Sequence, residues 1–293
     1  MNIKILVGGD SSERDISIKS GEAVYKSIKD EYKVDLIFLD KDYTCLKNKL
    51  KEGDIVFNAL HGGYGENGLL QSFLDDLNIN YTGSKTDSCK IAISKHETKL
   101  IAKKHNIKTP EWVLVDSKLK FKNSINFDPK YVVKADDQGS TLGLYIVNTL
   151  KDAKKAYELV KKISKSVILE KYIPGREITV GILNGEVLPI VEIIPKNNFY
   201  DYQAKYTDHQ TKYICPAKIN IELEEKIKSD AMKIFNLLKC KDYARVDFRL
   251  DSNISYFLEI NTHPGLTSTS LFPMAAKQKD ISFNQLIKKI IKI

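Results

Sequence analysis

Between Tyr243 and Asn261 the chain alternates apolar and polar residues in two runs, Tyr243-Ala-Arg-Val-Asp-Phe-Arg-Leu250 and Ile254-Ser-Tyr-Phe-Leu-Glu-Ile-Asn261, separated by Asp251-Ser-Asn253. Period-two alternation on both sides of a turn-forming cluster predicts a β-hairpin. A turn centred near Asn253 sets Asp247 opposite Glu259 and Arg245 opposite Asn261. All four then share one face, because side chains alternate along a strand. Val246, Phe248, Leu258 and Ile260 take the other face, toward a core. Two carboxylates facing each other across a ladder repel. A divalent cation between them removes that cost, and Asp247, Glu259 and Asn261 offer hard oxygen donors suited to Mg²⁺ bridged to phosphates. The plainer alternative is a solvated face carrying a Glu–Arg pair.

The first ~85 residues alternate strand and helix in the manner of a parallel sheet. Strands are expected at Ile3–Val7, Val34–Leu39, Asp54–Leu60 and Ile79–Tyr81, and a short helix at Leu69–Leu77. Ser12-Glu-Arg-Asp15 resembles a capping box opening a helix through about Ile28. From Thr86 a helix is expected to about His105, then strands Trp112–Val115, Tyr131–Ala135, Leu144–Val147 and Val167–Tyr172, with a helix over Lys151–Ile163. Ile173-Pro-Gly175 is a candidate hinge. Beyond it, Glu177–Leu183 and Glu186–Ile194 flank Asn184-Gly185, a strong hairpin signal. A polar loop over about Pro195–Ala217, a helix over Ile221–Lys239, the metal-like hairpin and a terminal helix from Ser282 complete the pattern. The expected division is a Rossmann-like domain over 1–85, a central mixed domain over 86–174 and a third over 175–293. The fold class is therefore α/β with α+β character.

At 293 residues the chain can bury several cores. No segment has the apolar length of a membrane span. Met1-Asn-Ile-Lys-Ile-Leu-Val runs into Gly-Gly and reads as a first strand rather than a signal-peptide core. Cys45, Cys89, Cys215 and Cys240 are scattered, with no C-x-x-C, which points to a reduced cytoplasmic setting and no zinc site. The net charge of +8 comes from lysines dispersed over helix faces, so neither nucleic acid nor membrane is an expected partner. Only four arginines stand against 42 lysines. Arginine is the choice where a rigid, always-charged fork is needed. Arg14 adjoins the first glycine loop and Arg245 faces the candidate metal site, while Arg176 and Arg249 read as structural.

Three glycine loops follow strands. Gly8-Gly-Asp-Ser-Ser-Glu-Arg14 opens a helix, so its backbone N–H groups can meet an anion or a zwitterion; a tight turn without a ligand is the competing reading. His61-Gly-Gly-Tyr-Gly-Glu-Asn-Gly68 lies at a strand's carboxyl end, where open α/β sheets bind ligands. Lys134-Ala-Asp-Asp-Gln-Gly-Ser-Thr-Leu-Gly143 joins two strands and can fold over phosphates, with Lys134 at the strand end. No P-loop sequence occurs. The aromatic stretch Phe199–Tyr206 can close over a site and exclude water.

Taken in order, these segments resemble the D-alanine–D-alanine ligases of the ATP-grasp superfamily. The motifs are Gly8-Gly-x-Ser-x-Glu-Arg, His61-Gly-x-x-Gly-Glu-x-Gly, Tyr81-Thr-Gly-Ser, Gly139-Ser-x-x-Gly, Tyr202-x-Ala-Lys-Tyr, Cys215-Pro-Ala, Arg245-x-Asp and Leu258-Glu-Ile-Asn-Thr-x-Pro-Gly-x-Thr. The resemblance implies an ATP-grasp fold and an ATP-dependent, ADP-forming ligase of cell-wall (peptidoglycan) precursor synthesis. It further implies ATP contacts at Lys95, Lys134, Glu170, Lys171, Ile173 and Glu177. Asp247, Glu259 and Asn261 would hold two Mg²⁺ ions, for which Mn²⁺ can substitute. Glu13 would take the ammonium of the first D-alanine and connect with Ser140 and Tyr206, with His61 near the same substrate. Lys205 and Ser270 would hold the second carboxylate, and Arg245 with the Gly265 amide would stabilise the oxyanion. The family's usual state implies a homodimer.

This chain departs from the family pattern at Ala135, Gln138 and Ser94, all around the nucleotide loop. The Lys205-Tyr206 pair favours an amine over D-lactate as second substrate. The alternatives are a related ligase joining other amino acids, D-alanine with D-serine for example, and a non-catalytic nucleotide-binding protein. The second would be expected to lose Arg245 or the Asp247, Glu259 and Asn261 set, and all are present.

Overall fold

The computed structural model describes residues 2–115, 125–139, 143–195 and 211–293. The first sheet is four-stranded and parallel, in the order β2-β1-β3-β4, from β1 (Asn2–Gly8), β2 (Val34–Leu39), β3 (Asp54–Asn58) and β4 (Asn80–Tyr81). This is the predicted βαβ series. Helix α1 (Arg14–Ile28) packs on β1. The approach is so close that a Cβ on Gly21 would overlap Val7 Cγ1. The expected capping box does not form. Glu13 is the N-cap residue without a side-chain cap, and its own N–H is taken by Ser11 Oγ (3.1 Å). Glu13 is thereby left facing a cavity. Short helices α2 (Gly63–Glu66) and α3 (Leu69–Asp76) follow β3.

The single helix expected over Thr86–His105 is two, α4 (Thr86–Ile93) and α5 (Lys95–Lys104). Ser94 breaks them with an extended backbone and caps α5 by accepting from the Glu97 N–H. Asp136 fixes the break, accepting from Ser94 Oγ (2.8 Å) and from the His96 N–H (2.7 Å). A local propensity argument could not see that long-range partner.

The second sheet is antiparallel, in the order β5-β8-β6-β7, from β5 (Trp112–Val115), β6 (Tyr131–Ala135), β7 (Tyr145–Val147) and β8 (Val167–Lys171). Helix α6 (Leu150–Val160) covers it over Ala153, Tyr157 and Val160. The third sheet runs β12-β11-β9-β13-β14, with β10 pairing β9. Its strands are β9 (Arg176–Leu183), β10 (Glu186–Val187), β11 (Val191–Ile194), β12 (Lys212–Ile214), β13 (Tyr243–Asp251) and β14 (Ile254–Asn261). The predicted Asn184-Gly185 hairpin is present, with Glu186 opposite Leu183. Strand β12, expected as part of a loop, adds to the edge of β11. Helix α7 (Ile221–Leu237) packs on this sheet. Helices α8 (Leu271–Lys277) and α9 (Phe283–Ile291) share a core with β1 and α1. Helix α8 was absent from the sequence expectation.

The β13–β14 hairpin has the expected pairing, Arg245 opposite Asn261 and Asp247 opposite Glu259. It arrives there by a different route. The turn is the two residues Ser252-Asn253, since Asp251 pairs with Ile254, and the register shifts by one between Asp247 and Phe248. Leu258 is the extra residue of that β-bulge. The expectation that Leu258 joins the core is therefore corrected. Phe257 is fully buried in its stead, and Leu258 lines a cavity.

Candidate active site

Two cavities meet in the cleft between the sheets, and they share Lys95, Gln138 and Glu259 in their walls. The first is lined by Glu13, His61, Glu66, Arg245, Asn261, Gly265 and Ser270, among others. The second is lined by Lys134, Glu170, Ile173, Glu177, Asp247, Arg249 and Leu258, among others. Thus most of the sequence-derived site residues converge on one connected space. Lys171 does not face it: its side chain points outward to Glu111 (3.4 Å). Ser140, Lys205, Tyr206 and the aromatic stretch around them lie outside the described residues.

In the first cavity, Glu13 is buried at the start of α1. A Cβ on Gly139 would stand 3.2 Å from Glu13 Oε2, so the loop after β6 reaches down to the first sheet. His61 follows β3 and is also buried. Its Nδ1 lies 3.5 Å from Glu66 Oε1 and its Nε2 lies 3.2 Å from Ser20 Oγ. Burial pushes the Glu66 carboxyl up, Glu13 adds to that shift, and the hydrogen bond with His61 opposes it. Two acidic groups thus stand at one end of the cavity, where an ammonium group would neutralise them. In the same cavity Ser270 Oγ accepts from the Thr267 N–H (3.0 Å), close beside Gly265.

The junction holds the hairpin residues. Arg245 grips Asp247 through Nε and Nη2, both at 3.0 Å, and Thr179 Oγ1 donates to Asp247 Oδ1 at 2.5 Å. Glu259 pairs with Lys95 at 3.2 Å, and Lys95 Nζ donates to the Gln138 carbonyl at 2.7 Å. The repulsion expected across the ladder is met by two cations, one per carboxylate. Asn261 Oδ1 accepts from the His263 N–H (2.7 Å) and keeps a second lone pair. Three hard-oxygen side chains on one wall, between a lysine-lined cavity and a carboxylate-lined one, suit Mg²⁺, which keeps several waters and binds through one or two carboxylates and substrate phosphates. The residues present therefore fit the ion.

In the second cavity, Lys134 and Glu170 are buried together. Lys134 Nζ lies 3.2 Å from each Glu170 oxygen. Arg249 braces the segment after β8, donating to the Ile173 carbonyl (3.2 Å) and the Gly175 carbonyl (2.9 Å). Arg176 is structural, bidentate to Glu192 at 2.7 Å. Arg14 is likewise structural, donating to the Leu39 carbonyl at 2.6 Å.

Sequence reasoning missed Glu66, Thr179, Lys99 and His263. Glu66 stood in the His61–Gly68 motif without a role. Thr179, Lys99 and His263 gave no local signal, since each gains meaning from a partner far along the chain. His263 is fully buried beneath the junction, with Asn58 Nδ2 3.0 Å from its Nε2 and Thr262 Oγ1 3.1 Å from its Nδ1. Burial drives its pKa down to about 3, helped by His61, so the ring is neutral. Asn58 Nδ2 therefore donates to Nε2, which leaves the proton on Nδ1.

Comparison with known proteins identifies the family. Residues 100–292 match the family model for the D-ala D-ala ligase C-terminus, and residues 2–52 and 42–84 match that for the N-terminus. The chain is 43% identical over 294 residues to the D-alanine–D-alanine ligase of Aquifex aeolicus, covering 99% of this chain and 100% of the relative. It is 39% identical over 309 residues to that of Carboxydothermus hydrogenoformans, covering 99% and 97%. The crystal structure of D-alanine–D-alanine ligase from Bacillus anthracis complexed with ATP superposes with a TM-score of 0.86 at 32% identity, covering 100% and 96%. The VanG D-Ala:D-Ser ligase of Enterococcus faecalis superposes with a TM-score of 0.87 at 26% identity, covering 99% and 98%. The chain belongs to the D-alanine–D-alanine ligase family of ATP-dependent ligases, with the ATP-grasp fold.

Proposed function

We propose that the chain joins two D-alanines into D-alanyl-D-alanine at the expense of ATP, for peptidoglycan precursor synthesis. The observation that carries the reading is the pair of cavities joined at Lys95 and Glu259, one suited to a nucleotide and one to a zwitterion. ATP occupies the second cavity. Lys95 and Lys134 meet its phosphates, and the Glu170–Ile173 strand with Glu177 holds adenine and ribose. Asp247, Glu259 and Asn261 would hold two Mg²⁺ ions. Bound there, the metal supplies charge neutralisation on the transferring phosphoryl group.

A carboxylate is a poor electrophile, so the first D-alanine is activated. One of its carboxylate oxygens attacks the γ-phosphorus, the bond to the β,γ-bridging oxygen breaks, and ADP and an acyl phosphate result. Glu13 and His61 hold the first substrate, with the negative charge of Glu13 against its ammonium. Ser270, together with Lys205, holds the carboxylate of the second D-alanine. Its amine attacks the acyl carbon, and the oxyanion that develops is stabilised by Arg245 and the Gly265 amide. Collapse expels inorganic phosphate, the amine loses a proton, and the peptide bond is formed. The family resemblance assigns Ser140 and Tyr206, outside the described residues, to the connection with Glu13. The Phe199–Tyr206 stretch would exclude water, which would otherwise hydrolyse the acyl phosphate. We further infer three structural units near the boundaries 85 and 174, a cytoplasmic location and a homodimer. No helix among the described residues is long and apolar enough to cross a membrane.

The test is phosphate release with Mg-ATP and D-alanine, with L-alanine, D-serine and no amino acid as controls, and chromatography of the product. Release that requires D-alanine and yields the dipeptide supports the reading. ATP binding without D-alanine-dependent turnover overturns it.

A further inference from the structure

Lys99 has no part in the chemistry above, yet it is fully buried. It lies one turn after Lys95 on α5, so one helix presents a lysine to the cavity junction and buries a second behind it. Lys99 Nζ stands 2.6 Å from Glu170 Oε2 on β8 and donates to Thr109 Oγ1 at 2.6 Å. Thr109 in turn donates to the Phe257 carbonyl on β14 at 2.8 Å, next to Leu258 in the cavity wall. Lys99 therefore ties together the second and third sheets, the two that wall the nucleotide cavity. It does not line that cavity; Glu170 does.

Glu170 is left between two lysines with different duties. Lys99 holds Oε2 at the shorter distance, and Lys134 straddles both oxygens at 3.2 Å. Burial works to raise the Glu170 carboxyl, and the charges of Lys134 and Lys99 outweigh it, so it stays below the usual carboxylate range. Without Lys99, the buried carboxylate would depend on Lys134 alone. It would draw Lys134 away from the cavity and lose the anchor on Oε2.

We infer that Lys99 is a positioning residue of the nucleotide site: it fixes Glu170 as an ionised acceptor in the cavity wall, and so sets a preference for a purine carrying an exocyclic amine over one carrying a carbonyl at the same place. An amine donates to a carboxylate, whereas a carbonyl oxygen would face it lone pair to lone pair. The inference rests on the reading of the second cavity as the ATP site.

The experiment compares kcat/KM for Mg-ATP and Mg-ITP, and KM for D-alanine, in the wild type, Lys99→Met, Glu170→Gln and the double variant. Inosine carries a carbonyl where adenine carries its amine. In Lys99→Met the ATP preference falls about tenfold, the scale of one hydrogen bond to a charged group, while KM for D-alanine stays within twofold. In the Glu170→Gln background, Lys99→Met changes the ATP:ITP ratio less than twofold, because Lys99 acts through Glu170. Equal losses for ATP and ITP in Lys99→Met, or an undiminished effect in the Glu170→Gln background, overturn the inference. Thr109→Val removes one of the two Lys99 anchors with little change of shape. It serves if Lys99→Met does not fold: a shift of the ratio in the same direction supports the inference, and an unchanged ratio overturns it. A wild type that turns over ATP with D-alanine while the ratio is indifferent to Lys99 fails this inference alone. A wild type with no such turnover fails the ATP-ligase reading and this inference with it.

Discussion

Replacing Thr179 with valine removes one hydroxyl from beneath the wall proposed to hold Mg²⁺. Thr179 is 1% exposed, pairs with Asp247 across β9 and β13, and donates to Asp247 Oδ1 at 2.5 Å. Valine keeps the branched shape on a strand, so no cavity opens and the change is confined to that hydrogen bond and a long one to the Val246 carbonyl (3.4 Å). A hydrogen bond to a charged acceptor is worth about 1.5–3 kcal/mol. Asp247 keeps its two bonds from Arg245, which puts the expected loss at the lower end, ~1–2 kcal/mol. If that donor orients Asp247 for Mg²⁺, the same energy appears in the metal affinity, where ~1.4 kcal/mol is a factor of ten. Two assays separate the possibilities: phosphate release titrated with Mg²⁺ at saturating ATP and D-alanine, and urea unfolding in the presence of EDTA. The half-saturating Mg²⁺ concentration is expected to rise roughly tenfold, with the maximal rate recovered at high Mg²⁺. An unchanged Mg²⁺ midpoint alongside lost stability would show that the hydroxyl serves folding only. No change in either would refute the argument that Thr179 positions Asp247.

Other consequences follow from the same contacts. Gly21→Ala gains about 1 kcal/mol of helix propensity but forces a methyl group against Val7, so the net effect is a destabilisation of ~1–2 kcal/mol, read as a lowered urea midpoint. Arg245→Gln leaves Asp247 without its bidentate partner and removes the proposed oxyanion donor; kcat should fall about 10²–10³-fold with little change in KM for ATP. His263 is neutral in the folded protein with its pKa lowered to about 3, whereas the unfolded chain takes up a proton near pH 6.5. Its contribution is therefore fully present above pH 6.5 and lost as pH falls toward 3, at about 1.4 kcal/mol per unit. A His263→Gln variant should show a flatter fall of the urea midpoint between pH 6.5 and 4.5, and an equal slope in both proteins would disprove the assignment.

The alternation in Tyr243–Leu250 and Ile254–Asn261 determined, from the sequence alone, that the two runs pair as a hairpin with Arg245, Asp247, Glu259 and Asn261 toward the cleft. The strand–helix alternation of the first ~85 residues likewise determined a parallel sheet. Period and turn chemistry are short-range properties, and short-range sterics are enough to fix them. Glu13, His61, Arg245, Asp247 and Glu259, which line the two cavities, were legible as candidates because each stands in a motif whose spacing survives any packing detail.

Other features were decided only in the tertiary structure. The break at Ser94 that turns Lys95 into the cleft depends on Asp136, some forty residues on. The bulge that exchanges Phe257 for Leu258 in the core follows from how β14 must pack between a buried face and a cavity. Lys99, Thr179 and His263 look like ordinary helix, strand and loop residues. They acquire roles because burial makes an unpaired polar group costly, and their partners Glu170, Asp247 and Asn58 come from distant parts of the chain. A sequence carries the local half of such a pair; the other half exists only once the sheets have come together.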